Sequence, residues 1–285
     1  MKIGVGAFID ESTQAPDVIG RKCEELGFES IWLPEHPVMP VATRPPQSSV
    51  SDRVFENQQV PDWYTRIPDP FITLIAVAAA TRRLKLGTGI CLVPEHEPIT
   101  LAKTIATLDL FSGGRFLFGI GAGGIREESA AMGVDFRRRW VITREYIAVM
   151  KELWTKTDSQ FQGEFVKFPP LKSLPKPLQR PHPPIHIGAG GMGPKYTRAL
   201  KDTVAIGDGW APVAVPPHQL VKDLARSRSR AGRSRLQPAR NLHLHAHRDG
   251  LAARYHPRLR RLRRASPGLH PVCAAAYRAG ARGSG

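Results

Sequence analysis

The sequence predicts an α/β protein with a parallel sheet, and three observations carry that prediction. Leu84 to Leu92 is an apolar run with glycines at 87 and 89, closed by Pro94 and Pro98. Leu101, Ile105, Leu108 and Phe111 then recur at helical spacing, so one face of that helix is expected to be buried. Ser112-Gly113-Gly114 ends the helix, and Arg115 to Ile120 is a second short apolar run that stops at Gly121-Ala122-Gly123-Gly124. Strand, crossover helix and strand at these lengths make a parallel β-α-β unit. Glycine-rich loops after both strands let backbone come close to a ligand.

The flanking elements follow the same alternation. Lys2 to Phe8 reads as a first strand. Pro16 opens a helix whose face carries Val18, Ile19, Cys23 and Leu26, and Gly27 stops it. Ser30 to Leu33 is a second strand, followed at once by Pro34-Glu35-His36-Pro37. From Val38 to Ile67 the periodicity lapses into a long loop, a feature that in compact domains marks functional or disordered segments. Asp69-Pro70 caps and starts the next helix, alanine-rich through Thr81.

After Gly124, the stripe Ile142, Tyr146, Val149, Met150 and Leu153 predicts a helix ending near Trp154. Phe161 to Phe165 reads as a small hairpin insertion and Phe168 to Pro184 as a proline-rich connector. Ile185 to Ile187 is a fifth strand, with Gly188-Ala189-Gly190-Gly191 expected as a loop before a helix from Pro194 to Leu200. Val204 to Ile206 reads as a sixth strand with Gly207-Asp208-Gly209-Trp210 at its end.

Composition bounds the function. The 285 residues are 41% hydrophobic, enough for one large core, and an α/β barrel takes roughly 250. No apolar run approaches the roughly 20 residues of a membrane span, and Lys2 to Phe8 leads straight to Asp10 and Glu11, unlike a signal peptide. Cys23, Cys91 and Cys273 are scattered, which suggests reduced thiols in a cytoplasmic protein and gives no metal spacing. The net charge of +16 invites a nucleic-acid reading, but residues 226–285 hold 15 arginines and a single acid, Asp249. Residues 1–225 keep 26 basic against 24 acidic groups.

The division is therefore 1–225, an α/β barrel of six strands, and 226–285, an Arg-rich tail without Ile, Phe, Trp, Met, Lys, Glu or Thr. That composition follows G- and C-rich codons, as out-of-frame translation from near Arg226 would produce. The alternative is a genuine basic tail binding RNA or an acidic surface. Either way, the two further strand–helix pairs that close an eight-stranded barrel are missing from the pattern, so the barrel is expected to be incomplete at its C-terminal side.

LGTGICLVP, a helix ending TLDLFSGGR and FLFGIGAGG together resemble the bacterial luciferase-like superfamily, and within it the actinobacterial branch of F420-dependent oxidoreductases. The motifs run in order over about residues 1 to 225. The resemblance implies a TIM (β/α)8 barrel that binds the deazaflavin F420, with FMN as the alternative cofactor. It also implies a small-molecule substrate and leaves a homodimer open. His36, ending the second strand, is implied as an acid or base over the ring, with Glu35 beside it at the mouth. Gly89-Ile90 falls where the family carries a non-proline cis peptide against the ring. The loops Gly121-Ala122-Gly123 and Gly188-Ala189-Gly190-Gly191 are implied to hold the coenzyme's ribityl chain and phosphate. Trp210 either walls the substrate pocket or caps the core.

Competing patterns are weaker. Read without the resemblance, His36 is a hydrogen-bonded loop residue and Glu35 a solvated carboxylate. Glu95-His96-Glu97 lacks a second clustered histidine, so no metal is expected there. A Rossmann reading lacks its acidic residue, and neither a G-x-S-x-G elbow nor a Walker loop is present. The chemistry expected is hydride transfer between F420 and a small organic molecule. An FMN-dependent monooxygenase is the second enzyme reading, and a basic-tailed nucleic-acid-binding protein the reading of another class.

Overall fold

The computed structural model describes residues 2–41, 62–190, 205–213, 261–262, 264–265 and 270–276. The strands are β1 (Lys2–Phe8), β2 (Ser30–Leu33), β3 (Lys85–Thr88), β4 (Cys91–Leu92), β5 (Phe116–Gly121), β6 (Ser159–Gln162), β7 (Lys167–Leu171), β8 (Ile185–Gly190), β9 (Gly209–Val213) and β10 (His270–Ala276). The helices are α1 (Pro16–Glu25), α2 (Asp62–Thr65), α3 (Pro70–Ala80), α4 (Pro98–Phe111), α5 (Arg126–Ala131) and α6 (Arg139–Thr155). The main sheet runs β10-β1-β2-β3-β5-β8-β9, with β4 pairing β5, and all pairs but β10–β1 are parallel. It is the curled parallel sheet of an α/β half-barrel.

Register divides that sheet into two faces, because paired residues share a face and neighbours along a strand alternate. Ile31 pairs Val5 and Leu86, Phe118 pairs Ile185, and Ile187 pairs Trp210. Val5, Ile31, Leu86, Phe118, Ile185 and Ile187 meet Ile19, Leu74, Val77, Leu101, Ile105, Ile147 and Met150 of the helices in one core. The other face carries Gly6, Trp32, Gly87, Leu117, Gly119, His186 and Gly209. It is the barrel interior, and Trp32 fills it. A Cβ at Gly87 would lie 2.4 Å from the Trp32 ring, and one at Gly119 only 1.9 Å from the Thr88 carbonyl. Trp32 donates to Ser30 Oγ at 2.9 Å and stands edge-on to His186. Burial holds His186 down at about 4, so it is neutral at ordinary pH.

Local chemistry explains most boundaries. Asp69 caps α3 by accepting from the Ile72 amide at 2.8 Å. Glu97 does the same for α4 through Ile99 and Thr100. Gly113 and Gly114 carry φ of 68° and 74° past the end of α4, where only glycine is at ease. The Arg115 guanidinium then donates to Ser112, Ala78, Thr81 and Leu84, tying the ends of α3 and α4 to the start of β3.

Four expectations are corrected and one unread strand is added. Val18 and Phe111, placed on buried helical faces, are 38% and 70% exposed. The run from Leu84 to Leu92 is two strands, broken at Gly89-Ile90. Part of the long loop is helical, as α2, while residues 42–61 lie outside the described set. The last parallel strand begins at Gly209 and residues 205–206 are helical. Asp208 explains the delay: its amide donates to Ile185 O and its carboxylate accepts from Ile185 N, docking the turn onto β8 before β9 starts. Finally, the tail contributes β10, which lies antiparallel along β1 from Lys2↔Ala276 to Phe8↔His270. The expected hairpin is present as β6–β7, although β7 takes in the first residues assigned to the connector. The helix expected from Pro194 to Leu200 lies outside the described residues.

Candidate active site

All parallel strands deliver their C-terminal ends to one side of the half-barrel, and the polar residues of interest collect there. The floor comes from the interruption between strands β3 and β4. The Gly89-Ile90 peptide is cis, matching the sequence expectation. Gly89 donates to Leu33 O at 2.6 Å, which fixes the break against β2. The Ile90 side chain lies between two other residues picked out in the sequence. A Cβ at Gly121 would sit 2.1 Å from Ile90 Cδ1, and one at Gly188 would sit 2.7 Å from its Cγ2. Ile90, Gly121 and Gly188 therefore form one apolar platform above Trp32.

The rim is built from the segments that follow β2, β4 and β5. His36 Nδ1 lies 3.0 and 2.9 Å from the two carboxylate oxygens of Glu128 on α5. Its Nε2 lies 2.7 Å from the hydroxyl of Tyr64 on α2. Tyr64 packs in turn on Phe8 at the end of β1. Burial, reinforced by the Glu128 charge, raises the Tyr64 phenol well above its ordinary range, so it keeps its proton.

Glu35 is buried and its oxygens are engaged inside the protein. One accepts from the Leu92 amide at 2.6 Å and the other meets His96 Nε2 at 3.0 Å. It braces β4 and His96 against the end of β2. Cys91 completes a group with Glu35 and His96 whose ligand atoms lie within 4.8 Å of one another, close enough to enclose a cation. Burial, then the Glu35 charge, drive the Cys91 thiol well upward. A protonated thiol beside a carboxylate already holding two donors makes an internal hydrogen-bond network.

Glu95 is the least satisfied of these groups. It is 5% exposed; Oε1 accepts from Ser129 Oγ at 2.9 Å and Oε2 has no partner among the described residues. Burial, and then the nearby Glu128, raise it to about 7. Gly123 wraps this carboxyl: its φ is 79°, and a Cβ there would lie 2.8 Å from Glu95 Oε1. Arg139 donates to the Gly123 carbonyl, and Arg126 and Arg139 both stack on Phe136. Two guanidiniums thus stand beside the glycine loop.

The structure unites His36, Glu35, Gly89, Ile90, Gly121, Ala122, Gly123 and Gly188 around one end of the sheet. Gly188, Ala189 and Gly190 are the last residues of β8 itself, correcting the expected loop, and Gly191 lies outside the described residues. Trp210 pairs with Ile187 and so lies on the helix-facing side, buried at 3%. That placement favours the core cap over the pocket wall. Sequence reading missed Tyr64 and Glu128 and weighed Glu95 only as a metal ligand. Only folding brings Glu128 across 92 positions to His36.

A flat heteroaromatic coenzyme needs an apolar platform for its face and polar groups for its edge. The Ile90 platform and the unspent Glu95 oxygen fit that requirement, and Arg126 and Arg139 supply positive charge for an acidic side arm.

Comparison with known proteins agrees with this architecture. The family described as luciferase-like monooxygenase matches residues 18–284. An uncharacterised Mycobacterium tuberculosis protein is 36% identical over 239 residues, 81% of each chain. The chain belongs to the luciferase-like monooxygenase family. Among its relatives, the oxygenase component of a flavin-dependent trigonelline monooxygenase from Acinetobacter baylyi is 39% identical over 128 residues, 44% of this chain and 35% of that one. An F420-dependent glucose-6-phosphate dehydrogenase from Amycolatopsis mediterranei is 30% identical over 175 residues, 60% of this chain and 46% of that one. A monooxygenase from Streptomyces bottropensis superposes with a TM-score of 0.68 at 24% identity, covering 93% of this chain and 79% of its own. Family members are oxidoreductases acting on small molecules. Among the described residues, no helix is long and apolar enough to cross a membrane.

Proposed function

We propose that this chain is an F420-dependent oxidoreductase that moves a hydride between the deazaflavin and a small organic substrate. The observation that carries the reading is His36, which follows β2 at the C-terminal side of the sheet and is engaged through both ring nitrogens, on the same side as the Ile90 platform after β3. When bound, the deazaflavin supplies a ring carbon that gives or takes the hydride. The protein's part is to seat the ring on Ile90, Gly121 and Gly188, orient its edge with the Glu95 carboxyl, and move the accompanying proton at His36 Nε2. Glu35 acts from behind, holding His96 and the Leu92 amide so that the platform keeps its place. The matching F420-dependent dehydrogenase supports the choice of coenzyme.

A second reading, a flavin-dependent monooxygenase with FMN as its coenzyme, rests on the flavin-dependent trigonelline relative, whose identity over its shorter match is higher, and on a matching FMNH2-dependent dimethylsulfone monooxygenase. Anaerobic turnover separates the two. The F420 reading expects the oxidised coenzyme's visible band to bleach with substrate and no oxygen present. Oxygen consumption driven by reduced FMN, with no F420 bleaching, would instead establish the monooxygenase.

A further inference from the structure

Tyr64, His36 and Glu128 come from three separate segments, α2, the residues after β2, and α5, yet they form one continuous chain of hydrogen bonds. A carboxylate only accepts, so the Glu128 contact places the histidine's hydrogen on Nδ1. That leaves Nε2 as an acceptor, and the Tyr64 hydroxyl at 2.7 Å is its donor. The order acid–imidazole–hydroxyl is the logic of a catalytic triad, with a phenol at the end in place of an alcohol. His36 is 11% exposed at its side chain and Glu128 is fully buried, so water competes little for either.

We propose that these residues act as one proton relay, with Glu128 a positioning residue that sets the His36 tautomer and Tyr64 the end that meets the oxygen of an alcohol or carbonyl substrate. The inference rests on the oxidoreductase reading and narrows its substrate class to carbon centres bearing oxygen. In the oxidising direction the substrate O–H bond breaks and its proton passes to Tyr64 Oη. The Tyr64 proton moves to His36 Nε2 in the same event. The electron pair of the adjacent C–H bond leaves as hydride to the coenzyme, and the substrate carbon becomes a carbonyl. The imidazolium so formed keeps its Nδ1–H on Glu128, whose charge balances it. Reduction runs the same transfers backwards. The high affinity of the buried phenol for its proton means that Tyr64 hands one on as it receives another, without resting as phenolate.

Two variants test this without changing shape much, Tyr64→Phe and Glu128→Gln, each with a readout independent of turnover. Nitrogen-15 NMR of the labelled parent should show His36 as the Nδ1–H tautomer. In Glu128→Gln the carboxamide can donate to Nδ1, so the hydrogen should move to Nε2. With F420 and a panel of primary and secondary alcohols, Tyr64→Phe should lose about 10²- to 10⁴-fold in kcat with KM within a few-fold of the parent. An Nε2–H tautomer in the parent overturns the relay, and so does a Tyr64→Phe rate within three-fold of an active parent. The two failures differ: a parent inert with both F420 and FMN refutes the oxidoreductase reading, whereas an active parent indifferent to Tyr64 refutes the relay. With an inert parent the tautomer alone decides.

Discussion

Replacing Arg115 by Met should weaken the fold strongly for a change at a partly exposed residue. The guanidinium donates to Ser112 O at 2.6 Å, Leu84 O at 2.7 Å, Ala78 O at 2.9 Å and Thr81 O at 3.1 Å, with Thr81 Oγ1 at 2.9 Å. Three of these carbonyls lie at the ends of α3 and α4: Ala78 O also accepts the Thr81 amide at 3.4 Å, whereas Thr81 O and Ser112 O lie past the last turn, where helix carbonyls lack intrahelical donors. Ser112, Thr81 and Leu84 are all buried, so water replaces the lost donors poorly. Each bond to a charged group is worth about 1.5–3 kcal/mol, but five on one side chain do not add. Leaving two buried acceptors unpaired gives about 3–5 kcal/mol, a large share of the roughly 5–15 kcal/mol that holds a domain. Met keeps the aliphatic stem, so the loss reports the hydrogen bonds. Arg115→Lys, with three donors on one atom, should recover only part of it. Urea unfolding followed by tryptophan fluorescence measures both. A Met variant within 0.5 kcal/mol of the parent would refute the staple.

Three further outcomes are expected. Gly119→Ala pushes a methyl to 1.9 Å from the Thr88 carbonyl, forcing β3 and β5 apart and straining the buried bond from Thr88 Oγ1 to Gly119 O. Overpacking of this kind costs about 1–3 kcal/mol, and an unchanged thermal midpoint would show that the interior yields more easily than argued. His186, held near 4 by burial, binds no proton in the folded state until well below the unfolded value of about 6.5. Its contribution is complete above pH 6.5 and is lost as pH falls towards 4, up to about 3 kcal/mol; His186→Leu should flatten that part of the stability profile, and an unaltered slope would assign the loss elsewhere. Glu95 has the opposite sign: raised to about 7, it favours the folded state while protonated, so stability falls as pH rises from about 4.5 through 7. Glu95→Gln should therefore gain about 1–2 kcal/mol at pH 8, after allowance for solvent screening, and little at pH 5; equal effects at both pH values would contradict the assignment.

Local chemistry made much of the fold legible. Lys2–Phe8 and Ser30–Leu33 are strands as read, and Asp69 caps its helix, because alternation, β-branching and capping act within a few residues. Periodicity misplaced Phe111, which lies in the last turn of α4 beyond the reach of the neighbouring helices. The start of β9 was illegible because Asp208 holds it back through a contact with Ile185, 23 positions earlier. The platform was half legible: the sequence picked out Ile90, Gly121 and Gly188, but not that one side chain is the reason both glycines lack a Cβ. The rim was hidden for the same reason as β9. Tyr64 lay in a stretch without periodicity, and Glu128 beside a second glutamate, Glu127; only the long-range pairing with His36 distinguishes Glu128.

The central claim, that the C-terminal end of this half-barrel seats a deazaflavin, is tested most directly by titrating the purified chain with F420 and, separately, with FMN while recording the visible spectrum. A saturable shift of the F420 band at micromolar concentrations is expected, with FMN binding more weakly. Saturable FMN binding with no response to F420 would contradict it.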